Sequence, residues 1–218
     1  MILVLGGTKG GSGKTLLACN FTVLRAGAGH DTLLIDADEQ ASAMDFTRQR
    51  QRRLTGEPGY TAIQTHEADV AVQVRRLAAK YEDILIDVGG RDTASQRAAL
   101  AVANTLVIPF APTSVDLWTV DTVIALLKEV RAFNQGLRAY AVLNKAFARG
   151  SDNREAAEML REYPAHWDYL DTPIGTRKAF SNAFGGGYAV TEYQPKDAKA
   201  ITEMTALYQH AFHTTSVL

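Results

Sequence analysis

The stretch Lys9-Gly10-Gly11-Ser12-Gly13-Lys14-Thr15 constrains this chain more than any other. An unbroken apolar run from Ile2 to Leu5 precedes it and reads as a buried strand. Behind it, Leu16, Leu17, Phe21, Val23 and Leu24 recur at roughly helical spacing, which predicts a helix over residues 15–26, stopped by Gly27 and Gly29. A glycine-rich loop joining a buried strand to a helix start is the setting of a phosphate-binding loop. Its glycines let consecutive backbone N–H groups turn toward one concavity, and the helix N-terminus adds about half a positive charge behind them. In that setting Gly10, Gly11, Ser12, Gly13, Lys14, Thr15 and Leu16 surround the phosphates. Lys14 reaches the outer phosphates and the Thr15 hydroxyl ligates Mg²⁺. The strict pattern asks for a glycine six residues before the lysine, where this chain has Thr8, and a second lysine, Lys9, stands at the head of the loop.

Lys9-Gly-Gly-x-Gly-Lys-Thr resembles the deviant Walker A loop of the ParA/MinD family, the dimerising ATPases of DNA partition and cell positioning. The resemblance implies that Lys9 crosses a dimer interface to the partner's nucleotide, so that Lys9 and Lys14 both serve hydrolysis.

A second apolar run, Thr32-Leu33-Leu34-Ile35, ends in Asp36-Ala37-Asp38-Glu39-Gln40. Acids at the C-terminal end of a strand in an open parallel sheet sit where such sheets bind ligands. The stretch resembles the family's Asp-x-Asp-Pro-Gln segment, often called switch I. That match implies that Asp38 positions the attacking water and Asp36 lies near the metal, with Glu39 where most relatives have proline. Asp38 could equally cap the helix that follows, and both roles can hold. The third run, Ile84-Leu85-Ile86-Asp87, is followed by Val88-Gly89-Gly90 and has the pattern of a Walker B acid with switch II. The carboxylate orients the water shell of Mg²⁺, and a glycine N–H can sense the terminal phosphate. The candidate metal residues are thus Thr15, Asp36 and Asp87.

Thr105-Leu106-Val107-Ile108-Pro109 is a further central strand. The segment after it, through Pro112, Ser114, Asp116 and Trp118, resembles the family's Pro-x-x-Pro-Ser–Asp-Leu-Trp element. It reads either as part of a dimer interface or as a rigid turn, with Asp116 near a helix start. Tyr140-Ala141-Val142-Leu143-Asn144-Lys145 resembles the family's Leu-Asn-Arg strand, whose asparagine reads the base. Asn144 is therefore the adenine candidate, the alternative being a strand-terminating turn residue.

Other helices are expected over residues 69–81, 95–102, 120–133, 149–163 and 196–212, with a short strand over 60–65 and an edge strand within 167–174. Arg48, Arg50, Arg52 and Arg53 read as the solvated basic end of a helix, or as a DNA or partner contact. The run Gly185-Gly186-Gly187 is expected to be a flexible loop. Beyond it, Tyr188 to Tyr193 fits relatives' Gly-x-x-Val-x-Glu-Tyr.

At 218 residues the chain fits one α/β domain, residues 1–218, and 46% apolar residues suffice for its core. A formal net charge of −1 excludes a globally basic nucleic-acid binder but leaves room for a local basic face. Cys19 is the single cysteine, which excludes an intrachain disulfide and an iron–sulfur site, and reads as a small core residue. A strand starting at Met1 leaves no room for a signal peptide, and no apolar run approaches the ~20 residues of a membrane span. The expected location is cytoplasmic or nucleoid-associated, with no membrane attachment.

The fold expected is an α/β P-loop fold, a mostly parallel twisted sheet with helices on both faces. By resemblance the chain is a Mg²⁺-dependent ATPase that forms an ATP-dependent homodimer. It would partition plasmid or chromosomal DNA with a ParB-like or small centromere-binding protein. Its own DNA contact would be non-specific, from candidates such as Arg149, Arg154, Arg177, Lys178 and Lys199. It looks like the short form of the family, without a helix-turn-helix extension. Two alternatives remain: a positioning or regulatory ATPase for conjugation or secretion machinery, and a dethiobiotin-synthetase-like enzyme on the same scaffold.

Overall fold

The unbroken apolar runs read from the sequence lie side by side in the middle of one sheet. The computed structural model describes residues 1–90, 93–114 and 117–213. Its strands are β1 (Ile2–Leu5), β2 (Thr32–Ala37), β3 (Thr61–Gln64), β4 (Asp83–Val88), β5 (Thr105–Phe110), β6 (Arg138–Ala146) and β7 (Asp168–Gly175). They form a seven-stranded sheet in the order β3-β2-β4-β1-β5-β6-β7, with every pair parallel. Strands β2, β4 and β5 are buried at every position, as a sheet covered on both faces requires. The expected mostly parallel sheet is therefore found, and β7 takes the expected edge.

The helices are α1 (Lys14–Gly27), α2 (Ser42–Leu54), α3 (Asp69–Leu77), α4 (Ala94–Leu100), α5 (Leu117–Arg131), α6 (Asp152–Arg161), α7 (Lys178–Gly185) and α8 (Ala198–His213). Alternate strand residues feed two cores, because successive side chains leave a strand on opposite faces. Val4, Leu33, Ile35, Ile86 and Ile108 pack with residues of α3 to α6. Leu3, Leu5, Leu34, Leu85 and Val107 pack with α1, α2, α7 and α8. Cys19 lies fully buried in the second core, where burial pushes its thiol pKa up. The stripe Met204, Leu207, Tyr208 and Phe212 of α8 is core as well. Among the described residues no helix is long and apolar enough to cross a membrane.

Two local expectations are corrected. Arg50 is not solvated: its guanidinium is buried and holds the Glu192 carboxylate with two bonds of 2.5 and 2.8 Å, and it also donates to the Pro58 carbonyl. The 185–187 run is not a free loop either. Gly185 closes α7, and Gly187 sits at φ 68°, so close to α2 that a Cβ there would be 2.4 Å from the Arg50 backbone nitrogen. Only glycine fits that approach. The C-terminal segment is thereby clamped to α2, and Arg53 adds a cation–π contact 3.9 Å from the Tyr188 ring centroid.

Strand β1 lies between β4 and β5, so the chain leaves it toward one half of the sheet and later returns to fill the other. In an open parallel sheet the crevice at the carboxyl end of such a switch strand takes the ligand. The loop after β1 occupies that crevice.

Candidate functional site

Residues 6–13 run from the end of β1 to the first turn of α1, with Gly11 at φ 76° and Gly13 at φ 95°. The foot of the loop is braced by α4: the buried Gln96 accepts a 2.9 Å bond from the Gly7 N–H through Oε1. Thr93 caps α4, its hydroxyl accepting from the Gln96 N–H. Lys14 is buried, and its ammonium donates 2.9 Å to the Lys9 carbonyl. Burial lowers the Lys14 pKa, while the charges of Asp87 and Asp38 oppose that shift. Lys9 itself is exposed on the wall of a cleft of about 1460 Å³.

That cleft gathers most of the residues expected at the site. It is walled by the phosphate loop with Thr15 and Leu16, the stretch 37–40 with Ser42, Gly89, Gly90 and the start of α4, and by Lys145, Ser181, Phe184 and Gly185. Asp36 and Asp87 are register partners on neighbouring strands, both at zero exposure. Their environments differ. Asp36 spends both oxygens on backbone N–H groups, Oδ1 on Asp38 and Oδ2 on Met44. Burial raises its pKa and those two bonds oppose the rise. The Met44 bond satisfies a first-turn donor of α2, so Asp36 is the acid that caps α2, the part Asp38 was expected to share. Asp38 instead accepts from the Gln40 N–H at 3.1 Å and stands beside Gly89, where a methyl group would lie 3.4 Å from its Oδ1.

Among the described residues, neither Asp87 carboxylate oxygen has a partner within hydrogen-bond geometry. Burial pushes its pKa up to about 8; the Thr15 hydroxyl, close but outside hydrogen-bond geometry, and Lys14 favour the charged form. A fully buried acid with two free oxygens, next to a hydroxyl and an ammonium, suits a hydrated divalent cation. Gly90 presses on the phosphate loop, since a Cβ there would stand 2.4 Å from the Gly10 Cα. The two acidic stretches and the loop thus meet at one point.

Asn144 is not on the cleft wall. Its side chain is buried beneath the loop, donating 2.6 Å from Nδ2 to the Ser12 carbonyl and accepting 2.9 Å at Oδ1 from the Lys145 N–H. Arg177, a candidate DNA contact, is committed to the Glu203 carboxylate. Asp116 lies outside the described residues. Residues missed by the sequence reading are Gln96, Lys145, Ser181 and Phe184. For Gln96 a signal existed: Thr93-x-x-Gln96 has the spacing of a capping box.

A glycine-rich loop at the switch strand, with a buried lysine, a hydroxyl and a buried acid behind it, defines a P-loop nucleoside triphosphatase. Residues 3–189 match the model of the CobQ/CobB/MinD/ParA nucleotide binding domain, and the chain belongs to that family. It is an ATPase of the ParA/MinD type. The chain is 21% identical over 206 residues to the maintenance of carboxysome distribution protein A of Halothiobacillus neapolitanus, covering 94% of this chain and 93% of that one. A solved ATP complex of an McdA variant from Cyanothece superposes with a TM-score of 0.75 at 15% identity, over 99% of this chain and 97% of the other. A plasmid partition protein from Borrelia burgdorferi gives 0.66 at 18% identity over 95% of each chain.

Proposed function

We propose that this ATPase dimerises around ATP and distributes a DNA cargo, plasmid or chromosomal, through a ParB-like or small centromere-binding partner. The observation that carries this reading is Lys9: an exposed cation on the cleft wall, beyond the one lysine that a monomeric phosphate loop needs. In this reading the loop N–H groups and Lys14 bind the phosphates, and Lys9 reaches across a two-fold interface to the other subunit's nucleotide. Thr15 and Asp87 hold Mg²⁺, which when bound neutralises charge on the terminal phosphates. Asp36 fixes the entry of α2, and Asp38, next to Gly89, orients the attacking water. Charge supplied by a partner subunit is worth orders of magnitude in hydrolysis rate, as an arginine finger is. Lys9→Ala should therefore keep most nucleotide affinity while losing ATP-dependent dimerisation in light scattering. A Lys9→Ala protein that hydrolyses ATP normally as a monomer overturns the reading.

Dimerisation doubles the DNA phosphate contacts offered together, and so turns a nucleotide state into a DNA-affinity state. Binding to random duplex should need ATP and weaken steeply with salt, the log–log slope changing by about −0.9 per neutralised phosphate. A second cargo class is favoured by the carboxysome distribution relative, which aligns along nearly the whole chain. A protein body would then replace the centromere. A gene for a small DNA-binding protein beside this one supports partition; turnover stimulated by a partner that binds no DNA supports the second reading.

A further inference from the structure

We propose that Gln96 is a positioning residue for phosphate binding: its amide oxygen ties the root of the phosphate-binding loop to α4. The proposal rests on the nucleotide reading of the cleft but concerns a different link, from α4 to the loop. Three observations carry it.

First, Gln96 takes hold of the chain where the sheet lets go. The Gly6 N–H still donates to the Val107 carbonyl of β5 at 3.1 Å, and the next donor, the Gly7 N–H, goes to Gln96 Oε1 at 2.9 Å. Gly7 sits at φ 141°, a region glycine enters and leaves freely, so the bond to Gln96 is what holds that peptide. Second, the side chain is diverted to this task. Thr93 and Gln96 have the spacing of a capping box, and its first half is made: the Thr93 hydroxyl accepts from the Gln96 N–H at 3.2 Å. The second half would send the Gln96 side chain back to the Thr93 N–H, and its oxygen goes to Gly7 instead. Third, folding alone does not favour an amide here. Gln96 has zero exposure, and among the described residues its Nε2 has no hydrogen-bond partner. A buried donor left unpaired is costly, and an apolar side chain of the same length would avoid that cost.

The stretch after β4 thus grips the loop at two points, Gly90 against Gly10 and Gln96 at Gly7. Thr93, Ala94 and Ser95, just before Gln96, wall the same cleft as the loop. The root sets the angle at which the loop leaves β1, and so where its N–H groups stand for the phosphates. Losing this bond should weaken every ligand that carries the phosphates, in equal measure.

The test uses two side chains of nearly the same length. Gln96→Met keeps the packing and removes the acceptor. Gln96→Glu keeps an oxygen at the acceptor position, and burial favours its neutral form. Calorimetry with the magnesium salts of ATP, ADP and tripolyphosphate should show Gln96→Met weakened about tenfold for all three, and Gln96→Glu within about threefold of wild type. Amide exchange followed by NMR on nucleotide-free protein should show Gly7 exchanging faster in Gln96→Met and protected again in Gln96→Glu. The melting temperature of Gln96→Met should stay close to wild type, since one unpaired donor replaces another. Wild-type affinity in Gln96→Met, an equal loss in both variants, or unchanged exchange at Gly7 overturns the proposal. Failure of the nucleotide reading looks different: wild-type protein would bind none of the three ligands, while the exchange pattern at Gly7 would still appear.

Discussion

Asp83 and Asp87 stand near the two ends of the same strand, β4, on the same side of the sheet, and both are buried. The same helix, α1, covers them: its last turn lies over Asp83 and its first turn over Asp87. At the Asp83 end Arg25 donates to the carboxylate at 2.5 Å, and the Met1 amino group is 3.1 Å away. At the Asp87 end, among the described residues, no donor meets either oxygen in hydrogen-bond geometry. A buried carboxylate without a partner is costly, so folding alone would not retain Asp87 there. On the proposed reading, the two ends of β4 therefore separate a residue kept for stability from one kept for a ligand. The buried acid, the Thr15 hydroxyl beside it and the buried Lys14 ammonium all occur at the carboxyl end of the sheet.

Exchanging the two acids one at a time should give opposite results. Asp87→Asn should cost the largest effect, at least about a hundredfold in Mg²⁺-dependent phosphate release, since on the proposed reading the metal shell would lose its orienting acid. Its melting temperature should hold or rise, because a buried, unpaired acid is removed. Asp83→Ala should do the reverse. It leaves Arg25 without its carboxylate and should cost about 3 kcal/mol in urea unfolding, with ATP affinity unchanged. If Asp87→Asn unfolds easily, or Asp83→Ala loses nucleotide, the division between the two ends is wrong.

Glu192 sharpens the contrast through pH. It is half-buried like neither of the other two, and burial alone would raise its pKa. The Arg50 ion pair and the Ala189 N–H outweigh burial and hold it below the usual glutamate value. Its native form therefore binds fewer protons than its unfolded form in that range. The stability it contributes is present above the unfolded pKa, about 4.3, and is lost as pH falls through the native one. Glu192→Gln should cost about 1 kcal/mol at neutral pH, with the gap to wild type closing on acidification below about pH 4. A gap that is the same at every pH would mean that the pair contributes no charge-dependent stability.

Much of this was legible because it is written locally. The aliphatic runs of β1, β2, β4 and β5 declare buried parallel strands, and the acid or glycine loop that ends each of β1, β2 and β4 marks the ligand end of the sheet. What could not be read depends on partners far along the chain. Arg50 looks like one of four exposed arginines until Glu192, 142 residues later, is brought to it. The 185–187 run looks like a linker until α2 is seen filling the space beside Gly187. Asn144 ends its strand as a ligand contact would, and its bond to the Ser12 carbonyl, 132 residues earlier, is invisible in the local sequence. The helix over residues 149–163 begins later, at Asp152, because Gly150 takes φ 106° and Asn153 first closes the turn onto Phe147.

The central claim is that each nucleotide site is completed by the other subunit, and mixing inactive variants tests it most directly. Lys9→Ala and Asp38→Ala subunits should each be inactive alone in phosphate release. In a mixed dimer, one site keeps its own Asp38 and receives an intact Lys9 from its partner, while the other site has neither. Turnover should therefore return on mixing, to roughly half the wild-type rate per mixed dimer. No recovery from a mixture that forms dimers with ATP, or full activity of Lys9→Ala alone, would contradict a site shared between subunits.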